Sequence, residues 1–259
     1  MIEELNRKYE GREDELDLPG RQRRRRIWLS AIALFLALVF LFSVTGRWLT
    51  VFSGPTLQFL RESWELSSDP LVRDLKESVV QIQAERPADS PRGQIRGSGF
   101  NIDPGGLVVT NRHLVEGASL VRISFPGRGT FTAEEIWVSA AADLALVSVQ
   151  GENFASVSLS SRSASPGEEL LVIGNPLQFA RIANSADIIG YRDNPAGAFP
   201  FLVVEASIYP GSSGSPLFNR EGQVTGVVFA TLRTPDDAHV LGLAVDVREL
   251  ALFLEEVLP

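Results

Sequence analysis

The chain contains no cysteine, which excludes disulfide bridges and thiolate chemistry. Histidine is almost as scarce: only His113 and His239 occur, so a histidine-based metal site is not expected. The net charge of −8, with no basic stripe beyond the first thirty residues, argues against a nucleic-acid-binding protein. The sequence also lacks a phosphate-binding loop, a metal-ligand cluster and any cofactor motif, so we expect no cofactor.

The N-terminal region predicts a membrane anchor. Residues 1–26 form a polar tail that ends in RQRRRR, and residues 27–46 (IWLSAIALFLALVFLFSVTG) are uncharged and long enough for a transmembrane helix. The arginine flank predicts a cytoplasmic N-terminus, with everything beyond residue 50 across the membrane. Two alternatives are a buried core helix, which needs apolar surroundings on every side, and a cleaved signal peptide, for which no A-x-A stretch follows the run.

The rest of the chain is typical of an all-β domain. Residues 47–68 are interpreted as a membrane-proximal stalk with a short amphipathic helix, PTLQFLRESWEL, and Asp69-Pro70 predicts a helix start. From SVVQIQA onward, short β-type runs such as GLVVTN, LVRISF, LALVSV, ELLVIG and FLVVEAS are separated by turn signals. This pattern predicts a barrel or sandwich over residues 69–259, closed by the helix VRELALFLEEVL.

His113 and Asp143 are candidates for a catalytic pair. His113 follows the apolar run GGLVVTN and is therefore expected at a strand end, although a lone histidine is more often a surface or core residue. Asp143 precedes the apolar run LALVSV, and a carboxylate at the mouth of a buried strand must be paired or hydrogen-bonded. A histidine N–H is one such partner; capping a turn is the alternative.

The stretch YPGSSGSPLFN holds the candidate nucleophile. A nucleophilic serine needs backbone N–H groups beside it to hold an oxyanion. A glycine two residues earlier lets the backbone turn one of these N–H groups inward, and Gly211 stands in that relation to Ser213. Ser212 and Ser215 lack such a glycine, so Ser213 is the preferred nucleophile.

His113, Asp143 and Ser213 follow one another in the chymotrypsin-type order. The blocks GSGFNIDPGGLVVTNRHLV, ADLALVSV, GNP, VVEASIYPGSSGSPLFNREGQVTGV and GLAVDV resemble, in the same order, those of HtrA/Deg-type serine proteases over about residues 70–258. The resemblance implies a trypsin-like fold of two packed six-stranded β-barrels. The first barrel would carry His113 and Asp143 and the second Ser213, with the cleft between them.

The implied function is that of a serine endopeptidase that cleaves polypeptides through a Ser-His-Asp triad and an acyl-enzyme. The backbone N–H groups of Gly211 and Ser213 would form the oxyanion hole. The chain would be a single-pass protein of a bacterial cytoplasmic membrane, with its protease domain outside the cytoplasm. An inactive, membrane-tethered peptide-binding module of the same fold is the alternative, and the oligomeric state stays open.

Three features depart from the resemblance. Ser215 stands where these enzymes usually have a second glycine after the nucleophile. No PDZ domain is expected, because the chain ends after its closing helix. Digestive relatives carry an aspartate just before the serine, which pairs with a newly cut N-terminus; here that residue is Ser212, so activation by such a salt bridge is not available.

The resemblance also implies a substrate pocket built from residues 207–212 and from the strand VVFAT. Ser207 would lie near the floor, and Val228, Phe229 and Ala230 would line a wall. Neither segment contains an acidic residue, so a buried arginine or lysine side chain would lack a partner. A preference for small to medium aliphatic residues before the cut is therefore expected.

Overall fold

The computed structural model describes residues 55–87, 93–233 and 240–258. The predicted polar tail and transmembrane helix, residues 1–46, lie outside these ranges, as does His239. Within the described ranges, no helix is both long enough and apolar enough to cross a membrane.

Six antiparallel strands close the first barrel in the order β1-β2-β3-β6-β5-β4. Successive side chains of a strand point to opposite faces, so every second residue faces the barrel interior. In LVRISF the buried side chains are Val121, Ile123 and Phe125, which belong to the apolar core of this barrel. The strands are β1 (Val79–Glu85), β2 (Gln94–Asp103), β3 (Leu107–Thr110), β4 (Leu120–Phe125), β5 (Gly129–Val138) and β6 (Ala145–Val149).

The second barrel repeats the same topology, with β7-β8-β9-β12-β11-β10 as its closed order. Its interior is a separate apolar cluster that includes Leu170, Ile188, Leu202 and Val228. The strands are β7 (Glu169–Gly174), β8 (Ile182–Arg192), β9 (Phe201–Ala206), β10 (Pro216–Phe218), β11 (Val224–Arg233) and β12 (Val240–Asp246). The prediction of an all-β fold with two six-stranded barrels is confirmed.

Short helices accompany the barrels: α1 (Pro55–Leu66), α2 (Pro70–Ser78), α3 (Arg112–Val115) and α4 (Val247–Val257). α2 begins as predicted, with the Asp69 side chain accepting the Leu71 N–H at 2.8 Å. The predicted C-terminal helix is present as α4, and it buries Leu250 and Phe253.

The segment interpreted as a stalk includes α1, which is bonded to the second barrel. The buried Ser63 hydroxyl accepts the Ala183 N–H at 3.0 Å, and the Glu62 carboxylate accepts the Ser185 N–H at 2.7 Å. Residues from Gln58 onward accordingly form one compact unit with the barrels.

A third apolar cluster joins the two barrels. Phe100 and Leu146 come from the first barrel and Phe218 and Val227 from the second, and each is fully buried. Since burying apolar side chains is the main favourable term in folding, this cluster holds the two barrels against each other. The loops at the seam between the barrels are thereby fixed in relation to both.

Candidate active site

His113 and Asp143 are joined by two hydrogen bonds. One carboxylate oxygen of Asp143 accepts the backbone N–H of His113 at 2.9 Å, and the other lies 2.5 Å from the ring Nδ1. Because a carboxylate only accepts, Nδ1 carries the proton and Nε2 is left with a free lone pair. The arrangement therefore presents Nε2 as a base.

Local structure brings these two residues together. His113 lies on α3, directly after β3, and Asp143 lies in the connection between β5 and β6. The side-chain amide of Asn111, the residue before α3, donates to the Asp143 carbonyl at 2.8 Å and ties the two loops to each other. Sequence analysis did not single out Asn111, although an amide beside the candidate histidine was visible.

Arg112, the first residue of α3, forms a charged pair with Glu116, the residue that follows the helix. The Arg112 guanidinium donates to the Glu116 carboxylate through Nε at 2.9 Å and through Nη2 at 2.5 Å. This hydrogen bond lowers the pKa of Glu116 and raises the pKa of Arg112. Both groups thus stay ionised beside His113 over a wide pH range.

Ser213 lies in the connection between β9 and β10, on the second barrel. Its carbonyl accepts the N–H of Ser98, on β2 of the first barrel, at 2.7 Å. Its side chain is partly buried. Within the part of the chain that the structure describes, no hydrogen bond joins the Ser213 hydroxyl to His113.

The backbone N–H groups around Ser213 alternate between bonded and free. Those of Ser212 and Gly214 donate to the Tyr209 carbonyl at 2.9 Å and to the Val228 carbonyl at 2.8 Å. Those of Gly211 and Ser213 donate to no other described residue. Two unpaired donors thus flank the nucleophile candidate, and an oxyanion needs such a pair.

Gly211 adopts a backbone that other residues rarely reach, with φ at +100°. A Cβ at this position would also lie 2.5 Å from the Asn175 carbonyl oxygen. Position 211 therefore requires glycine for two reasons, conformation and space.

Ser98 and Asn175 are buried polar residues that sequence analysis did not identify as part of the site. The Ser98 hydroxyl donates to the Gly211 carbonyl at 2.8 Å and accepts the Asn175 N–H at 2.8 Å. A serine within the apolar context of GSGF, and the asparagine of GNP, were the available signals. Both motifs entered only as part of the resemblance.

Ser215, which stands where the resemblance leads one to expect glycine, fits because Gly174 lies beside it. A Cβ on Gly174 would collide with the Ser215 hydroxyl, so the absence of that Cβ leaves room for the serine. Ser215 is fully buried, and its hydroxyl has no hydrogen-bond partner among the described residues. The serine therefore fits by shape rather than by hydrogen bonding.

Two cavities lie along the seam, and each is lined by both barrels. One, of about 490 Å³, borders Gly97 of the first barrel and Gly211 of the second. The other, of about 460 Å³, borders the His113–Asp143 pair and the loop at Asn194.

The expected pocket residues line neither of these cavities. Val228 is buried in the interior of the second barrel, and the Phe229 ring packs on that of Phe201 at 4.8 Å between centroids. Ser207 and Ala230 are partly buried. Their role in substrate binding stays a prediction. In the described ranges, no group of three or more metal-ligating side chains converges on a common point.

Comparison with known proteins relates the chain to peptidases. The family model "Trypsin-like peptidase domain" matches residues 97–227, just over half of the chain. The chain is 34% identical over 172 residues to "Putative serine protease HhoB" of Synechocystis, covering 62% of this chain and 40% of that protein. It is 35% identical over 167 residues to a "Probable periplasmic serine endoprotease DegP-like" of Pseudomonas putida, covering 61% and 34%. The chain thus spans well under half the length of these relatives.

Solved structures resemble the fold over most of the chain. The Rv3671c protease of M. tuberculosis in its active form superposes with a TM-score of 0.63 at 28% identity, covering 74% of this chain and 86% of that one. The inactive form of the same protease gives 0.61 at 26% identity, covering 75% and 96%.

Replacing Gly211 by alanine tests the close approach to Asn175. The matched control is Gly117→Ala, since Gly117 also has a positive φ, of +71°, but open space around its Cβ position. The control should lose about 1–2 kcal/mol of the free energy of unfolding, the cost of a left-handed alanine. Gly211→Ala should lose about 1–3 kcal/mol more, because the backbone must also shift. Chemical denaturation measures both, and equal losses would contradict the described contact.

Proposed function

Since the chain belongs to the trypsin-like peptidase family, we propose that it is a serine endopeptidase with Ser213 as nucleophile, His113 as general base and Asp143 as the group that orients it. The observation that carries the proposal is the pair of hydrogen bonds that the Asp143 carboxylate accepts from the backbone N–H and the ring Nδ1 of His113. It fixes one tautomer of the ring, as a Ser-His-Asp triad requires.

The reaction proceeds in two halves. As Ser213 Oγ bonds to the scissile carbonyl carbon, its proton passes to His113 Nε2, which then gives it to the leaving amine as the C–N bond breaks. Water then attacks the acyl-enzyme and gives a proton to Nε2. As the bond from the acyl group to Ser213 Oγ breaks and the acid product leaves, this proton passes to Ser213 Oγ. In unliganded enzymes the hydrogen bond between nucleophile and base is often long and shortens when substrate binds. The hydrogen bond from Ser213 to His113 is proposed to form in the same way.

The N–H groups of Gly211 and Ser213 stabilise the oxyanion that develops in both halves. Their lack of other partners among the described residues supports this role. Removal of one such donor in other enzymes costs about 10²–10³ in kcat. This electrostatic contribution would persist even where the triad is impaired.

The pocket for the residue before the cut is proposed to be small and apolar. Ile208, in the segment 207–212, is nearly buried, and its Cδ1 occupies the space where a Cβ on Gly242 would lie. Gly242 pairs with Thr231, next to the predicted wall residues Phe229 and Ala230. Ile208 belongs to the apolar interior of the second barrel and is proposed to bound the space beside Ser207, which favours small to medium aliphatic residues such as valine, alanine or leucine.

The N-terminal sequence supports attachment to a lipid bilayer through one helix at residues 27–46, with residues 1–26 in the cytoplasm and the peptidase domain from about residue 69 outside it. Several related proteins are named periplasmic endoproteases, which agrees with an extracytoplasmic domain. Polypeptides in that compartment are the proposed substrates.

Substitutions at the serines and histidines test the catalytic proposal. Ser213→Ala and His113→Ala should each reduce peptide hydrolysis by about 10⁴-fold or more, with the fold intact. Only chains with Ser213 should react with a fluorophosphonate probe. Ser215→Ala and His239→Ala are the controls and should keep activity. Full activity in Ser213→Ala with loss in Ser215→Ala would place the nucleophile elsewhere. A wild-type chain that neither hydrolyses peptides nor labels would favour the peptide-binding module.

Ile208→Ala tests the pocket. Removing this side chain should raise kcat/KM for leucine relative to valine before the cut by about tenfold, since the one methylene by which they differ is worth about 1–3 kcal/mol in an apolar pocket. Ile189→Ala, the same substitution at an exposed residue of β8, is the control. A peptide library profiles both, and a dominant preference for arginine or lysine would refute the apolar pocket.

A reporter fused after residue 259 tests the orientation. An enzyme that is active only outside the cytoplasm, such as alkaline phosphatase, should be active on the full-length fusion, and a cytoplasmic reporter should be silent. The reverse pattern would refute the orientation. A mature chain that begins near residue 47 would support a cleaved signal peptide instead.

A further inference from the structure

The oxyanion loop, residues 209–214, has to present two N–H groups in fixed directions, a requirement that follows from the proposed function. Its sequence, YPGSSG, contains no charged residue. The Ser212 side chain is buried, and its hydroxyl accepts the Tyr209 N–H at 3.3 Å, so it stays within the loop. Some other contact must therefore hold the loop against the rest of the molecule.

The N–H groups of Gly211 and Ser213 are held in direction by hydrogen bonds to the carbonyl groups of the residues before them. In a trans peptide the C=O and N–H point in opposite directions, so holding the carbonyl of one residue aims the N–H of the next. The Pro210 carbonyl accepts the Leu177 N–H at 2.8 Å, which aims the Gly211 N–H away from Leu177. The Ser212 carbonyl accepts the Ser215 N–H at 3.0 Å, which does the same for Ser213.

Ser98 holds the loop at its centre. Its hydroxyl donates to the Gly211 carbonyl at 2.8 Å, and its backbone N–H donates to the Ser213 carbonyl at 2.7 Å. One residue of the first barrel thus binds the peptide groups on either side of the Ser212–Ser213 peptide, which carries the Ser213 N–H. Because Ser98 is fully buried, water cannot replace these bonds if they are lost.

Asn175 holds the segment that carries the Leu177 N–H. Its own N–H donates to the Ser98 hydroxyl at 2.8 Å, and its side-chain amide donates to the Val80 carbonyl at 2.9 Å. Its side-chain oxygen accepts the Arg181 N–H at 3.1 Å, which joins the two ends of the segment 175–181. Within it Leu177 has a φ of +51°, a conformation that a leucine keeps only where its surroundings impose it.

We propose that Ser98 and Asn175 are positioning residues that hold the oxyanion loop in its donor-presenting conformation, in the place of the ion pair that digestive relatives use. Asn175 borders the cavity beside Gly211, but neither its side chain nor that of Ser98 bonds to His113, Asp143 or the Ser213 hydroxyl. Ser98 acts through the Gly211 and Ser213 carbonyls. Asn175 acts through Ser98, to whose hydroxyl its side-chain amide also donates at 3.3 Å, and through the segment 175–181 that carries the Leu177 N–H.

If the wild-type chain hydrolyses peptides, steady-state kinetics of its variants test the proposal. Ser98→Ala should lower kcat by about 10–10²-fold and change KM by less than about twofold, since the oxyanion contact is made in the transition state. The affinity of a peptide boronate, whose adduct places an oxygen in the oxyanion site, should fall by the same factor as kcat/KM. The matched control is Ser160→Ala, another buried serine that bonds to a backbone carbonyl.

A double-mutant cycle separates positioning from general damage. If Ser98 and Asn175 act as one unit, the double variant Ser98→Ala/Asn175→Ala should lose little more kcat than the worse single variant. Independent, multiplied losses would overturn the proposal. So would a kcat of Ser98→Ala within about twofold of wild type, or an equal loss in Ser160→Ala.

Hydrogen exchange supplies a readout that does not depend on activity. Peptides that cover the oxyanion loop should exchange faster in Ser98→Ala and in Asn175→Ala than in wild type or Ser160→Ala. Should the wild type hydrolyse nothing, the proposed function fails and this measurement alone decides whether the two residues hold the loop. Unchanged exchange in both variants would then refute the positioning role.

Discussion

The bond from the Ser98 N–H to the Ser213 carbonyl, 2.7 Å long, connects the two barrels at the candidate nucleophile. Each barrel closes on itself and has its own apolar interior, yet neither contains a complete site. His113 and Asp143 belong to the first barrel and Ser213 to the second. The seam between the barrels is therefore the constraint on which the proposed catalysis depends, and its buried hydrogen bonds are costly to leave unmade.

The two halves of the site are held by different physical means. The His113–Asp143 pair depends on local contacts within one barrel, where Asn111 ties two neighbouring loops together. The position of Ser213 relative to His113 depends instead on the apolar cluster between the barrels and on Ser98. A packing defect in that cluster would leave the histidine in its correct tautomer and still move the nucleophile away from it.

The strand pattern, the helix starting at Asp69 and the closing helix could be read from periodicity and turn residues, because those signals are local. The candidate triad could be named because its residue types and order are distinctive. Ser98 and Asn175 could not, since a serine in a strand and an asparagine in a turn are ordinary by themselves. Their role appears only when contacts across long separations are present, such as the one from Ser98 to Gly211. The match between Ser215 and Gly174 was hidden for the same reason.

The replacement of an ion pair by neutral groups has a consequence for how the loop responds to pH. An ion pair with a chain N-terminus weakens as the amino group loses its proton, because the pKa of a free α-amino group is about 8. The serine hydroxyl, the asparagine amide and the backbone groups around Gly211 do not change charge in the range where proteins fold. The hydrogen bonds that hold the oxyanion loop are thereby independent of pH in that range.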